Sequence, residues 1–234
     1  MSEETAMLSK EIAKFRLYPN PKVDQCALVV IDPQNDFMHE KGHYRQSGVD
    51  ISHMQRTLKP TKKLMNFCRE QGIPIIVSQH QFRDWKTDGG ILCRVRPILQ
   101  KGGLRTGTWG AEFTEELEVD PAREWILPKA RLSCFYNTQM ELLLRSLGRD
   151  TLIVTGCLTN QCVESTIRDA QFRDIAVLAL EDCVGTIGGV MRHPITKKEV
   201  VVTAQELHEA SLRAVTFGLG DVMQSDDLIA ELSK

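Results

Sequence analysis

The chain has 234 residues, 42% of them hydrophobic and 26% charged, a balance that excludes disordered, collagen-like and membrane-embedded classes. Lys and Arg number 29 against 31 Asp and Glu, for a formal charge of -2. There is therefore no basic field for nucleic acid, and no uncharged apolar run approaches the ~20 residues that span a bilayer. Seven cysteines, an odd count without close metal-ligand pairs, argue for reduced thiols rather than a disulfide scaffold or zinc ribbon.

Residues 1–24 read as an amphipathic or irregular N-terminal arm. They lack the basic-then-apolar order of a signal peptide, so a cytoplasmic location is expected. Residues 25–234 read as one domain. Short aliphatic runs at 27–31, 74–78, 125–127, 151–155, 176–180 and, more weakly, 214–217 predict strands. Helical spacing occupies 52–71, 139–147, 161–173 and 204–212, with a closing helix over 221–232. Thr138 with Glu141, and Thr203 with Glu206, have capping-box spacing. This alternation predicts an α/β fold: a single doubly wound domain with a mostly parallel six-stranded sheet and helices on both faces. Two segments stand outside it. Residues 83–110 are expected to lie over the strand ends where α/β proteins bind ligands. Residues 185–202 are expected to form a hairpin flap, with Val190 and Met191 pairing toward Val200 to Val202.

Three titratable side chains follow strands. The run Leu152-Ile153-Val154 ends at Gly156 and a helix is predicted from about Asn160, which puts Cys162 in a first turn. There the macrodipole favours thiolate and is expected to bring the pKa below ~8.5. On position alone Cys162 is equally well a small core residue. Asp32 leaves the first strand before Pro33, placed either to accept a thiol proton or to cap a turn. Lys129 leaves the third strand, where a cation would stabilise that proton transfer or simply end the strand in solvent.

Together these places resemble the isochorismatase-like family of cysteine hydrolases. The matching stretches are Ala27-Leu28-Val29-Val30-Ile31-Asp32-Pro33-Gln34-Asn35-Asp36-Phe37, then Lys129-Ala130-Arg131-Leu132-Ser133-Cys134-Phe135 with Thr138. The third is Thr155-Gly156-Cys157-Leu158-Thr159-Asn160-Gln161-Cys162-Val163-Glu164-Ser165-Thr166 with Arg168-Asp169-Ala170. The resemblance implies Asp32 as general base, Cys162 as nucleophile and Lys129 as electrostatic partner. It also implies an oxyanion hole of the Leu158 and Cys162 backbone amides, with a cis peptide between Cys157 and Leu158.

Because the cysteine is present, the resemblance favours amide cleavage through a thioester over vinyl-ether hydrolysis. The nicotinamidase branch holds a metal on an Asp and two His near an Asp-Trp-His element. Here that region reads Gln79-His80-Gln81-Phe82-Arg83-Asp84-Trp85-Lys86, so neither metal nor other cofactor is expected. What remains is the branch acting on small ureido or carbamoyl amides such as biuret, ureidoacrylate or N-carbamoyl amino acids.

Gln34, Asn35, Arg83, Arg105, Trp109 and Tyr136 are the candidate substrate contacts, and Arg94, Arg96 and Arg105 could each grip a substrate carboxylate. His80 is expected to be a strand-end histidine with its hydrogen bonds satisfied. Cys26, Cys68 and Cys183 are expected in the core. Cys134 and Cys157 flank the site, which keeps open a redox role in which either resolves an oxidised Cys162. A noncatalytic ligand-binding or scaffold role is the other alternative. The partners expected are a small amide and further copies of the chain in a homodimer or homotetramer, and neither nucleic acid nor membrane.

Overall fold

A computed structural model describes residues 16–234. Six parallel strands form one sheet: β1 (Cys26–Ile31), β2 (Ile75–His80), β3 (Trp125–Lys129), β4 (Thr151–Cys157), β5 (Ala176–Gly185) and β8 (Asp221–Met223). Their spatial order is β3-β2-β1-β4-β5-β8. The chain winds outward from β1 in one direction and from β4 in the other, so the switch point lies between these two strands, where open α/β sheets bind ligands.

β1 is buried along its whole length, and its period of two divides it between two cores. Ala27, Val29 and Ile31 pack on one face with Leu152 and Val154. Cys26, Leu28 and Val30 pack on the other with Ile153 and Leu64. A third apolar cluster, including Phe37, Tyr44, Phe82, Leu99 and Leu104, lies beyond the strand ends and roofs them.

Five longer helices cover the sheet: α1 (Leu58–Gln71), α2 (Met140–Ser146), α3 (Glu164–Gln171), α4 (Ala204–Gly218) and α5 (Ser225–Leu232). Local chemistry explains where they differ from the sequence expectation. The helix expected over 52–71 is broken into Ser52–Gln55 and α1. Pro60 has no N–H to offer the preceding turn, so a helix restarts just before it rather than running through. Thr203 and Glu206 form a reciprocal capping box. Thr138 and Glu141 do not: the Thr138 hydroxyl donates to the Cys134 carbonyl, and Glu141 is drawn instead to Arg145 and Arg173.

The strand expected at 214–217 belongs to α4. His208, Ser211, Leu212 and Val215 are buried, and that i, i+3, i+4, i+7 spacing carries the helix past residue 212. The sixth strand is β8, which pairs Leu178 with Asp221 through Leu180 with Met223 and shortens the closing helix to α5. The flap is a hairpin as expected, β6 (Gly189–Arg192) antiparallel to β7 (Glu199–Val202), with Val190 opposite Val201. Of the N-terminal arm, residues 1–15 lie outside the described residues. The Leu17 and Tyr18 backbone amides donate to the Asp221 carboxylate at 2.8 and 2.9 Å. Among the described residues no helix is long and apolar enough to cross a membrane.

Candidate active site

The site begins with a glycine. Gly156 has φ +106°, and a Cβ there would lie 2.1 Å from the Ile31 carbonyl oxygen. Only glycine lets the ends of β1 and β4 approach this closely. Beyond Ile31 the chain turns through Asp32 at φ +53° and buries its carboxylate completely.

That carboxylate is fixed on both oxygens. Ser78 of β2 donates to Oδ1 at 2.6 Å, while its hydroxyl oxygen accepts from the Asp32 backbone N–H at 3.1 Å. Lys129 Nζ donates to Oδ2 at 2.7 Å and to the Arg131 carbonyl at 3.1 Å. Burial opposes the ammonium of Lys129, but the Asp32 carboxylate, with a smaller contribution from Cys162, holds it above its ordinary range. The structure therefore provides a dry ion pair whose members come from residues 97 positions apart.

The fourth strand supplies the sulfur. The Cys157–Leu158 peptide is cis, and a π turn, Thr159–Val163, follows before α3 begins. The Leu158 carbonyl accepts from the Gln161 and Val163 amides at 2.9 and 3.2 Å, so it bypasses the intervening Cys162 amide. Cys162 thus sits ahead of α3 in a wider-wound π turn, not in the first turn of a regular helix.

Its thiol is also not lowered. Burial pushes it up to about 12, with Lys129 pulling the other way and Asp32 adding to the rise. The macrodipole argument from sequence fails here because the side chain is almost wholly removed from water, and desolvation of the anion outweighs a dipole.

Asp32, His80 and Cys162 bring one oxygen, nitrogen and sulfur each within 4.8 Å of one another. His80 was the unexpected member. Parallel register sets it directly beside Lys129, with Nδ1 3.9 Å from Cys162 Sγ and 3.8 Å from Asp32 Oδ2. Nε2 is buried without a hydrogen-bond partner among the described residues, contrary to the expected satisfied histidine. Burial and, next, the Lys129 charge hold the imidazole neutral, down to about 3. As metal ligands the three groups fit poorly, because a cation would have to displace Lys129 from Asp32.

The other candidates separate into braces and outer residues. Gln34 is consumed: its amide donates to the His80 and Ala111 carbonyls and its oxygen accepts the His80 N–H. Asn35 donates to the Trp109 carbonyl at 2.9 Å. Trp109 itself stands edge-on to His39 on a separate open cavity of about 740 Å³. Arg105 staples its own loop through the Gly103 and Leu99 carbonyls, both at 2.7 Å, over the Phe82 ring. Arg83 and Tyr136 line an outer cavity of about 570 Å³ that reaches Lys129, and Arg94 is exposed. Arg96 alone of the arginines singled out from sequence reaches the Cys162 cavity, where it donates to Gln161.

Sequence reasoning did not pick out Ser78, Tyr44 or Arg131. Ser78 carried a signal, as the first hydroxyl after the apolar run Ile75-Ile76-Val77. All seven cysteines are buried, free thiols.

The Isochorismatase domain matches residues 26–227. Ureidoacrylate amidohydrolase RutB of Agrobacterium fabrum is 34% identical over 180 residues, 71% of this chain and 78% of that one. The RutB of an Enterobacter species is 35% identical over 175 residues, 69% of this chain and 76% of its own.

Among solved structures, a cysteine hydrolase from Pseudomonas syringae pv. phaseolicola superposes with a TM-score of 0.83 at 25% identity, covering 94% of this chain and 98% of that one. N-carbamoylsarcosine amidase from Thermoplasma acidophilum shares the fold, with a TM-score of 0.64 at 23% identity over 86% and 97% of the two chains. A domain match spanning most of the chain and relatives above 30% identity lead to one conclusion: this chain belongs to the isochorismatase family, in which its curated relatives are amidohydrolases.

Proposed function

We propose that the chain is a cofactor-independent cysteine amidohydrolase that cleaves a small ureido or carbamoyl amide. Asp32 accepts the Cys162 proton as the sulfur attacks the carbonyl, and Lys129 steadies the charges that develop. The Leu158 and Cys162 amides hold the oxyanion, a contribution of roughly 2.7–4 kcal/mol per donor in comparable sites. Ammonia leaves, and water hydrolyses the thioester to free the thiol. The carrying observation is the convergence of Asp32, Lys129 and Cys162, from three separate strand ends, on one buried point.

A thiol held up to about 12 means that thiolate forms with substrate, when proton loss and attack are coupled, rather than resting in the free enzyme. That same inertness, with Cys134 and Cys157 also pushed up by burial, disfavours the redox alternative. The ureido class is supported by the ureidoacrylate amidohydrolases among the relatives.

Cys162→Ala should abolish ammonia release from a panel of small ureido and carbamoyl amides, by about 10⁴-fold or more, while circular dichroism stays unchanged. Undiminished turnover would refute the nucleophile. Mass spectrometry of a rapidly quenched reaction should find the acyl adduct on Cys162. The proposed assembly, a homodimer or homotetramer, is tested by light scattering.

A further inference from the structure

The cavity beside Cys162 is walled mainly by apolar side chains, Leu99, Leu104 and Leu158 among them. Tyr44, His80, Arg96, Gln161 and Cys162 supply its polar groups. Arg96 and Gln161 are bonded to each other. His80 lines it as well; its Nε2 is buried and unpartnered among the described residues, while its other nitrogen faces Cys162 and Asp32. A desolvated imidazole nitrogen with no partner is costly to keep, and nothing in the mechanism above uses it.

A neutral imidazole carries one proton, whose place is set by what each nitrogen faces. The Asp32 carboxylate, which can only accept, lies on the Nδ1 side, which favours the proton there and leaves Nε2 its lone pair. That lone pair needs an N–H donor. We propose that His80 is the specificity-determining residue of this site: Nε2 accepts a hydrogen bond from a substrate N–H on the side of the scissile carbonyl away from the leaving ammonia. The inference rests on the amidohydrolase reading and sharpens it. A ureido or carbamoyl compound offers that N–H, whereas a plain carboxamide offers a CH₂ and leaves Nε2 unpaired, and sites built to pair a polar group discriminate most strongly against analogues lacking it.

The test uses an isosteric pair, N-carbamoylglycine and succinamate, which differ by NH against CH₂ at that position. Gln places a hydrogen-bonding atom where Nε2 lies, and Asn only where Nδ1 lies. His80→Asn should lower the ratio of kcat/KM for the pair by about 10- to 100-fold, and His80→Gln should restore most of it. An active His80→Asn enzyme with an unchanged ratio would overturn the assignment.

Two readouts do not depend on turnover. In the Cys162→Ala protein, calorimetry should find tighter binding of N-carbamoylglycine than of succinamate, and this preference should vanish in the Cys162→Ala, His80→Asn protein. The ¹⁵N resonance of His80 Nε2 in Cys162→Ala should shift with N-carbamoylglycine and not with succinamate. Equal shifts, or none, sink the proposal even where no His80 variant folds. Loss of turnover in Cys162→Ala tests the nucleophile, so the two readings fail separately.

Discussion

The floor of the site and its cover are built in different ways. The floor, Asp32 with Ser78 and Lys129, is set by parallel sheet register and closed by charge-assisted contacts inside the protein. The cover, including the short helices Gly90–Arg94 and Pro97–Lys101, packs its own small apolar cluster and is pinned by single side chains to backbone. Asp36 accepts the His43 and Leu104 amides at 2.9 and 2.6 Å. Asp88 accepts those of Arg83 and Asp84. A floor of this kind opens only when the whole sheet does, whereas a cover held by local ties opens at lower free energy. The chemistry is thus placed where stability is global, and access to it where stability is local. Access requires such opening, since the closed space beside Cys162 is about 10 Å³, close to the volume needed for one water.

Breaking the floor should cost most. Lys129→Met leaves the Asp32 charge buried and unpaired, and should lower unfolding free energy by about 3–5 kcal/mol in a denaturant titration. Pairing it with Asp32→Leu should recover much of that loss, while the doubly substituted protein stays inactive. A double variant no more stable than the single would mean that the pair is not the electrostatic unit described here.

Loosening the cover should cost less. Asp36→Ala strips two loop amides of their acceptor and should destabilise by about 1–3 kcal/mol. It should also speed alkylation of Cys162 at fixed pH well beyond what global unfolding explains. Hydrogen exchange confined to residues 36–43 and 98–111 would locate the effect.

The floor also answers to acid. The folded-state value of His80 is depressed to about 3 from 6.5, so the stability of its neutral form is complete above 6.5. It is lost as the pH falls toward 3, because the unfolded chain then binds the proton that the folded chain refuses. The expected slope is about 1.4 kcal/mol per pH unit, and His80→Gln should flatten it. An unchanged acid limb in that variant would show that His80 is not held neutral. The smallest effect is expected of Arg96→Ala, which removes the tie to Gln161 in the cavity wall. Cys162 alkylation should quicken several-fold, with stability changed by under about 1 kcal/mol.

Much of this is legible in the sequence. Strand-length apolar runs separated by helical spacing report burial on both faces of a parallel sheet, and the carboxylate, amine and thiol each follow such a run. Boundaries were less so. Residues 214–217 are β-prone, yet a buried face running through Leu212 and Val215 made them helix and moved the last strand to Asp221–Met223. Local preference is weaker than one more turn of packed surface.

The linear order of residues by itself determined the alternating α/β plan, the family and the three candidate reactive groups, because each is written in contiguous patterns of hydrophobicity and motif. Tertiary structure alone decided that Cys162 would be protonated by burial, that Gln34 and Arg105 would brace loops rather than face a ligand, and that His80 would enter the site with a free nitrogen. Those outcomes depend on strand register and on exclusion of water, and both arise only when segments far apart in the chain are packed together.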